Sequence, residues 1–93
     1  MASTILPNPV DSNQENDSDD EYCIICYNNE TNTFDQVIAI LSSALNIDIH
    51  RAEMHAWDIH LLGKANVYYG SQADCEQKAK VISSIGIKTE VSN

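Results

Sequence analysis

The sequence predicts an α+β fold, a compact β-α-α-β-α-β sandwich with a three-stranded sheet and helices on one face. Three observations predict it. A short, almost wholly apolar run at Tyr22–Tyr27 stops at the turn formers Asn28–Asn32. Two consecutive stretches with helical spacing follow, each with its own N-terminal capping residue. Two short extended runs then flank one further capped helical stretch. A small sheet with helices on one face is the simplest way to bury these stripes.

The elements can be justified in order. Tyr22–Tyr27 reads as the first strand, and Asn28–Asn32 break it. Thr33 with Gln36 three residues on has the form of a capping box, so a helix should begin near Phe34. Val37, Leu41, Ala44 and Leu45, with Ile38 beside them, form one apolar stripe, and Asn46 ends that helix. Asp48 can cap a second helix from Ile49 to about His60. In it Ala52, Ala56 and Ile59 share a face while Arg51 and Glu53 look outward. Gly63 suits the left-handed position after a helix end. Lys64–Tyr69 reads as a second strand, Ser71 with Asp74 opens a third helix through about Ser83, and Gly86 turns the chain into a last strand, Ile87–Val91.

Charge and cysteines narrow the classes of function. Of the formal net charge of −9, six negative charges lie within residues 1–21, which hold no Lys or Arg. Removing those six leaves −3 for the rest. Residues 1–20, with Pro7, Pro9 and many Asn and Ser, read as a disordered acidic extension, and 21–93 as the core domain. No basic face exists to neutralise phosphates, so nucleic-acid binding is not expected. No apolar run is long enough to span a bilayer and no secretory signal is evident, which makes a cytoplasmic chain the expectation. Cys23-Ile24-Ile25-Cys26 has C-x-x-C spacing, but in a strand the residues i and i+3 face opposite ways, so the sulfurs should diverge. His50, His55 and His60 recur every five residues and cannot share one metal on one helix face, so no metal or other cofactor is expected. No nucleophile or oxyanion motif accompanies Cys26, Cys75 and His60, so an enzyme is not indicated.

Two short signatures remain: Asn28-Asn29-Glu30 after the first strand, and Ile59-His60-Leu61-Leu62-Gly63-Lys64-Ala65. They offer a carboxylate, two amides and an imidazole, groups that can accept from the N–H donors of a protonated amine. From Tyr22 to Ser71 the chain resembles the ClpS family, adaptors that hand N-degron substrates to a Clp ATPase–protease. That family's pattern is an apolar strand, Asn-Asp-Asp, a Thr-Pro-Met-like stretch, an amphipathic helix and then Val-His-x-x-Gly-x-Ala. Here it reads Ile24-Ile25-Cys26-Tyr27-Asn28-Asn29-Glu30, Thr33-Phe34-Asp35-Gln36-Val37-Ile38, and Ile59 through Ala65.

The resemblance implies a three-stranded adaptor domain, a monomer, that grips a bulky hydrophobic N-terminal residue. Asn28, Asn29, Glu30 and His60 would bind the α-amino group, with Asn29 and Glu30 standing where the family has two Asp. Asn32, Phe34, Val37, Ala56, Ile59 and Ile87 would line the side-chain pocket. Phe34 and Ala56 both replace Met, and Phe34 would fill part of the space that Ala56 opens. Lys78 matches a lysine that docks the family on its Clp ATPase, a AAA+ unfoldase, although a neighbouring acid is Ala73 here. The acidic extension would correspond to the segment that engages the ATPase pore. Two other readings stand beside this one. One is a ClpS-like interaction domain with a degenerate pocket. The other is the N-degron-recognition segment of a ubiquitin ligase, against which the starting Met and the separate tail favour a free-standing chain.

Overall fold

A computed structural model describes residues 21–93, and the expected acidic extension at 1–20 lies outside the described residues. Strand β1 (Tyr22–Tyr27) is followed by helices α1 (Phe34–Leu45) and α2 (Ile49–Leu62). Strand β2 (Lys64–Gly70), helix α3 (Gln72–Ser83) and strand β3 (Thr89–Ser92) complete the chain. The order is the β-α-α-β-α-β expected from sequence. The three strands form one antiparallel sheet with β1 in the centre, flanked by β2 and β3.

Local signals set most boundaries. Thr33 accepts from the Gln36 N–H while the Gln36 side chain accepts from the Thr33 N–H, closing the capping box at the start of α1. Asp48 caps α2 and Ser71 caps α3 in the same way through one side-chain acceptor each. Such caps contribute about 1 kcal/mol apiece. Asn46 and Gly63 end α1 and α2 in left-handed conformations, and each donates its N–H back to the helix. Two boundaries differ from the sequence reading. Helix α2 continues past His60 to Leu62, because nothing breaks it before Gly63. The last strand begins at Thr89, where pairing with Cys26 starts, and not at Ile87.

The core lies between the sheet and the helices. Ile24 and Cys26 on the central strand are fully buried, as are Leu41 of α1, Ala52 of α2, and Cys75 and Ile82 of α3. Helix α3 packs on all three strands, α2 on β2, and α1 chiefly on α2 and α3. The β1–β2 register is interrupted: Ile24 faces Tyr68 but Ile25 faces Asn66, so Val67 is an extra residue on β2. The bulge lies at Val67, the one buried position on that strand, at 6% exposure. Gly70 is needed where Tyr68 folds back, since a Cβ there would stand 2.9 Å from the Tyr68 ring.

Burial also sorts the titratable side chains. Cys26 has no exposed surface, and burial pushes its thiol up to about 12. Cys23 is half-buried, and all three cysteines are free thiols. In the folded protein, Cys23 should react with a maleimide, whereas Cys26 and Cys75 should label only after unfolding. Mass-mapped labelling with and without urea checks this. Burial, then the Arg51 charge one turn earlier, lower the pKa of His55 against an opposing pull from Asp58. Between its folded and unfolded values the unfolded state therefore holds more proton, so stability rises with pH across that window. Stability should fall as pH drops through about 6.5, the ordinary histidine value. Urea titrations should show a shallower fall in His55→Gln.

Candidate functional site

The β1–α1 loop, the start of α1 and the second half of α2 enclose a cavity of about 570 Å³. Its polar lining is Asn28, Asn29, Glu30, Asn32 and His60. Its apolar wall is Phe34, Val37, Ala56, Trp57 and Ile59. Nine residues singled out in the sequence as one site thus meet at one cavity, although two signatures about thirty residues apart supply its polar lining.

Each group is placed by backbone hydrogen bonds or helix geometry. The Asn28 N–H donates to the Gly63 carbonyl at 2.9 Å, tying the end of β1 to the C-terminal cap of α2. His60 lies in the last turn of α2, so this bond brings the two polar signatures side by side. Ala56, Ile59 and His60 follow one another at i, i+3 and i+4, which gives them a shared flank. Ala56 and Ile59 are buried at its inner edge, whereas His60 is exposed at the mouth. The capping box fixes Phe34 at the first turn of α1.

Asn29 has a different position in this network from the one its sequence neighbours suggested. Its Oδ1 accepts from the Thr31 and Asn32 N–H groups at 3.2 and 3.1 Å. Its Nδ2 donates to Asn32 Oδ1 at 2.9 Å and to the Gly86 carbonyl at 3.2 Å. All four hydrogen-bonding capacities of the amide are engaged within the chain. Asn32 continues the link, its Nδ2 donating to the Ile85 carbonyl at 2.9 Å and to Gln36 Oε1 at 3.3 Å. These two side chains therefore pin the mouth loop to the α3–β3 turn. Among the described residues, the side chains of Asn28, Glu30 and His60 make no internal hydrogen bond, and Glu30 is the one carboxylate on the cavity wall. The arrangement offers hydrogen-bond acceptors to a cation beside an apolar wall that can enclose an apolar group.

Two expected residues lie elsewhere. Ile87 is not on the cavity wall: just after the left-handed Gly86 it turns into the core and is 3% exposed. Lys78 also stands away from the cavity, on α3, with Nζ 5.1 Å from the Tyr68 ring centroid. One wall residue was missed, Trp57. Its indole is 4.7 Å from the Phe34 ring, centroid to centroid, and 6.1 Å from His60. The signal was present: Trp57 stands three residues before His60 and so on the same helix flank. Among the described residues no cluster of three or more metal-ligating side chains occurs, and no helix is long and apolar enough to cross a membrane.

Known proteins match both sequence and fold. Residues 17–90 match the family model of the ATP-dependent Clp protease adaptor protein ClpS. Human E3 ubiquitin-protein ligase UBR2 is 35% identical over 74 residues, 80% of this chain. The chain spans only 4% of the length of that ligase. The structure of Agrobacterium tumefaciens ClpS2 bound to L-phenylalaninamide superposes with a TM-score of 0.70 at 18% identity, covering 78% of this chain and 98% of that one.

If Asn29 and Asn32 hold the mouth, Asn29→Ala should cost about 1–3 kcal/mol for four lost hydrogen bonds that are partly replaced by water. Asn29→Asp keeps the two acceptor bonds and should lose less. Urea midpoints of the two variants test that order.

Proposed function

The chain belongs to the ClpS family of N-degron-binding adaptors, and from that premise we propose that its cavity binds the first residue of a protein or peptide. The single observation carrying this reading is the cavity's polarity. Asn28, Glu30 and His60, whose side chains make no internal hydrogen bond among the described residues, line the same cavity as the apolar Phe34, Val37, Ala56, Trp57 and Ile59. The α-amino group donates to those three acceptors while a bulky hydrophobic side chain fills the space above Ala56 and Ile59. Asn29 and Asn32 act as struts for the mouth rather than as ligands. Hydrogen bonds to a charged amine contribute on the order of 1.5–3 kcal/mol each, and a buried large apolar side chain about as much. After the cost of association, micromolar affinity is expected. An internal residue lacks the free amine, and a small first residue leaves the cavity empty.

On this reading the protein is a cytoplasmic, monomeric, non-catalytic adaptor. It delivers N-degron substrates to a Clp-family AAA+ ATPase through a face that includes Lys78. A second reading has its own support, the 35% identity to a segment of a ubiquitin ligase. In that case the same pocket serves ubiquitin transfer instead of delivery to an unfoldase.

Fluorescence anisotropy with a labelled Leu-first peptide tests the pocket. The free-amine peptide should bind, and its N-acetylated and Ser-first versions should not; equal or absent binding of all three would leave the fold with a degenerate pocket. Glu30→Gln should weaken Leu-first binding about three- to tenfold, as expected for a charge-assisted bond at an exposed site. A further rise in anisotropy on adding a Clp-type ATPase would support delivery. No rise would favour the ligase reading.

A further inference from the structure

We propose that Trp57 sets the specificity of this cavity, favouring aromatic over aliphatic first residues; the proposal rests on the peptide-end reading above. Phe34, Trp57 and His60 form a three-ring cluster at the rim. Phe34 and Trp57 are tilted by 58° at 4.7 Å, and His60 meets Phe34 at 86° and 6.4 Å. The sequence suggests that Phe34 occupies the space opened by Ala56. In the structure Phe34 also packs on the indole, and a cavity of about 570 Å³ lies beside the rings.

A side chain entering that space meets Ala56 and Ile59 below and aromatic surface along one side. A phenyl or indole ring can pack edge-to-face against Trp57 and Phe34 at no cost in buried area. Such pairs add roughly two- to tenfold in affinity beyond what the area alone gives. A leucine side chain gains the area term only. Trp57 is also 47% exposed, so it keeps surface for a ligand to cover. Met54 and Leu61 share its stripe on α2 and are more exposed, yet neither lines the cavity. Of the exposed apolar residues on that helix, Trp57 is the one that faces the site.

Trp57 is the single tryptophan of the chain, so its emission reports directly on the rim. Phe-first and Leu-first peptides of otherwise identical, tryptophan-free sequence would be titrated by anisotropy and by Trp57 fluorescence in parallel. The native protein should bind the Phe-first peptide about three- to tenfold more tightly, and Trp57 emission should saturate with the same Kd. Trp57→Leu should bring the ratio of the two affinities close to one, whatever it does to the absolute affinity for the Leu-first peptide. Trp57→Phe, which keeps a ring, should retain most of the ratio. A ratio that persists in Trp57→Leu, or emission that does not move while anisotropy shows binding, would overturn the role of Trp57 alone. Binding of neither peptide to the native protein would overturn the peptide-end reading and this proposal with it.

Discussion

Two asparagine side chains hold the mouth of the cavity to the opposite end of the chain. Asn29 and Asn32 reach the carbonyls of Gly86 and Ile85, 57 and 53 residues away in sequence. A loop of five turn-forming residues loses considerable freedom on being fixed, and solvent competes for every polar group it carries. Here the amides replace solvent on the Thr31 and Asn32 N–H groups and on two carbonyls of the α3–β3 turn. Together with the Asn28–Gly63 bond, they hold the loop at three points contributed by two parts of the fold, the C-terminal cap of α2 and the α3–β3 turn. The mouth is therefore a property of the completed domain. A fragment ending before α3 would keep the Asn28–Gly63 bond but lack the Ile85 and Gly86 carbonyls that Asn32 and Asn29 reach.

This dependence explains what could be read from the sequence and what could not. The helices carried local signals: Thr33 with Gln36, Asp48, Ser71 and Gly63 each act on backbone groups within a few residues, and each sits where expected. The candidate site was legible for the same reason, because Ala56, Ile59 and His60 are one helix flank and Asn28–Asn32 one loop. Residues whose position depends on distant partners were harder. Asn29 stands on the cavity as its sequence position suggests, but its amide hydrogens go to Asn32 and the distant Gly86, which the sequence does not announce. Ile87 looked like a wall residue, but the turn at Gly86 sends it into the core. The bulge at Val67 leaves no trace in the residue pattern, since it arises from pairing with β1.

The cavity also divides its residues by what each can change without harm. Ala56 and Ile59 are buried at 2% and 3% exposure and serve the core as much as the wall. Enlarging them would strain the α2 packing, and shrinking Ile59 would open a void, at roughly 1–4 kcal/mol either way. That is a large part of the stability of a domain with about seventy ordered residues. Phe34 and Trp57 are only half-buried or exposed, so their bulk can vary at small cost to the fold. Within this architecture the depth of the cavity is thus tied to stability, whereas the chemistry of its rim is free to change.

The chain shares 35% identity with a segment that makes up a small fraction of a ubiquitin ligase, and its fold with an adaptor of eighteen per cent identity. In this chain the scaffold sets polar side chains beside an apolar well. Lys78, resting over the Tyr68 ring on α3, lies away from that well. A surface built there can alter without disturbing the struts at Asn29 and Asn32. The cavity and the Lys78 face therefore occupy separate regions of the fold around one core.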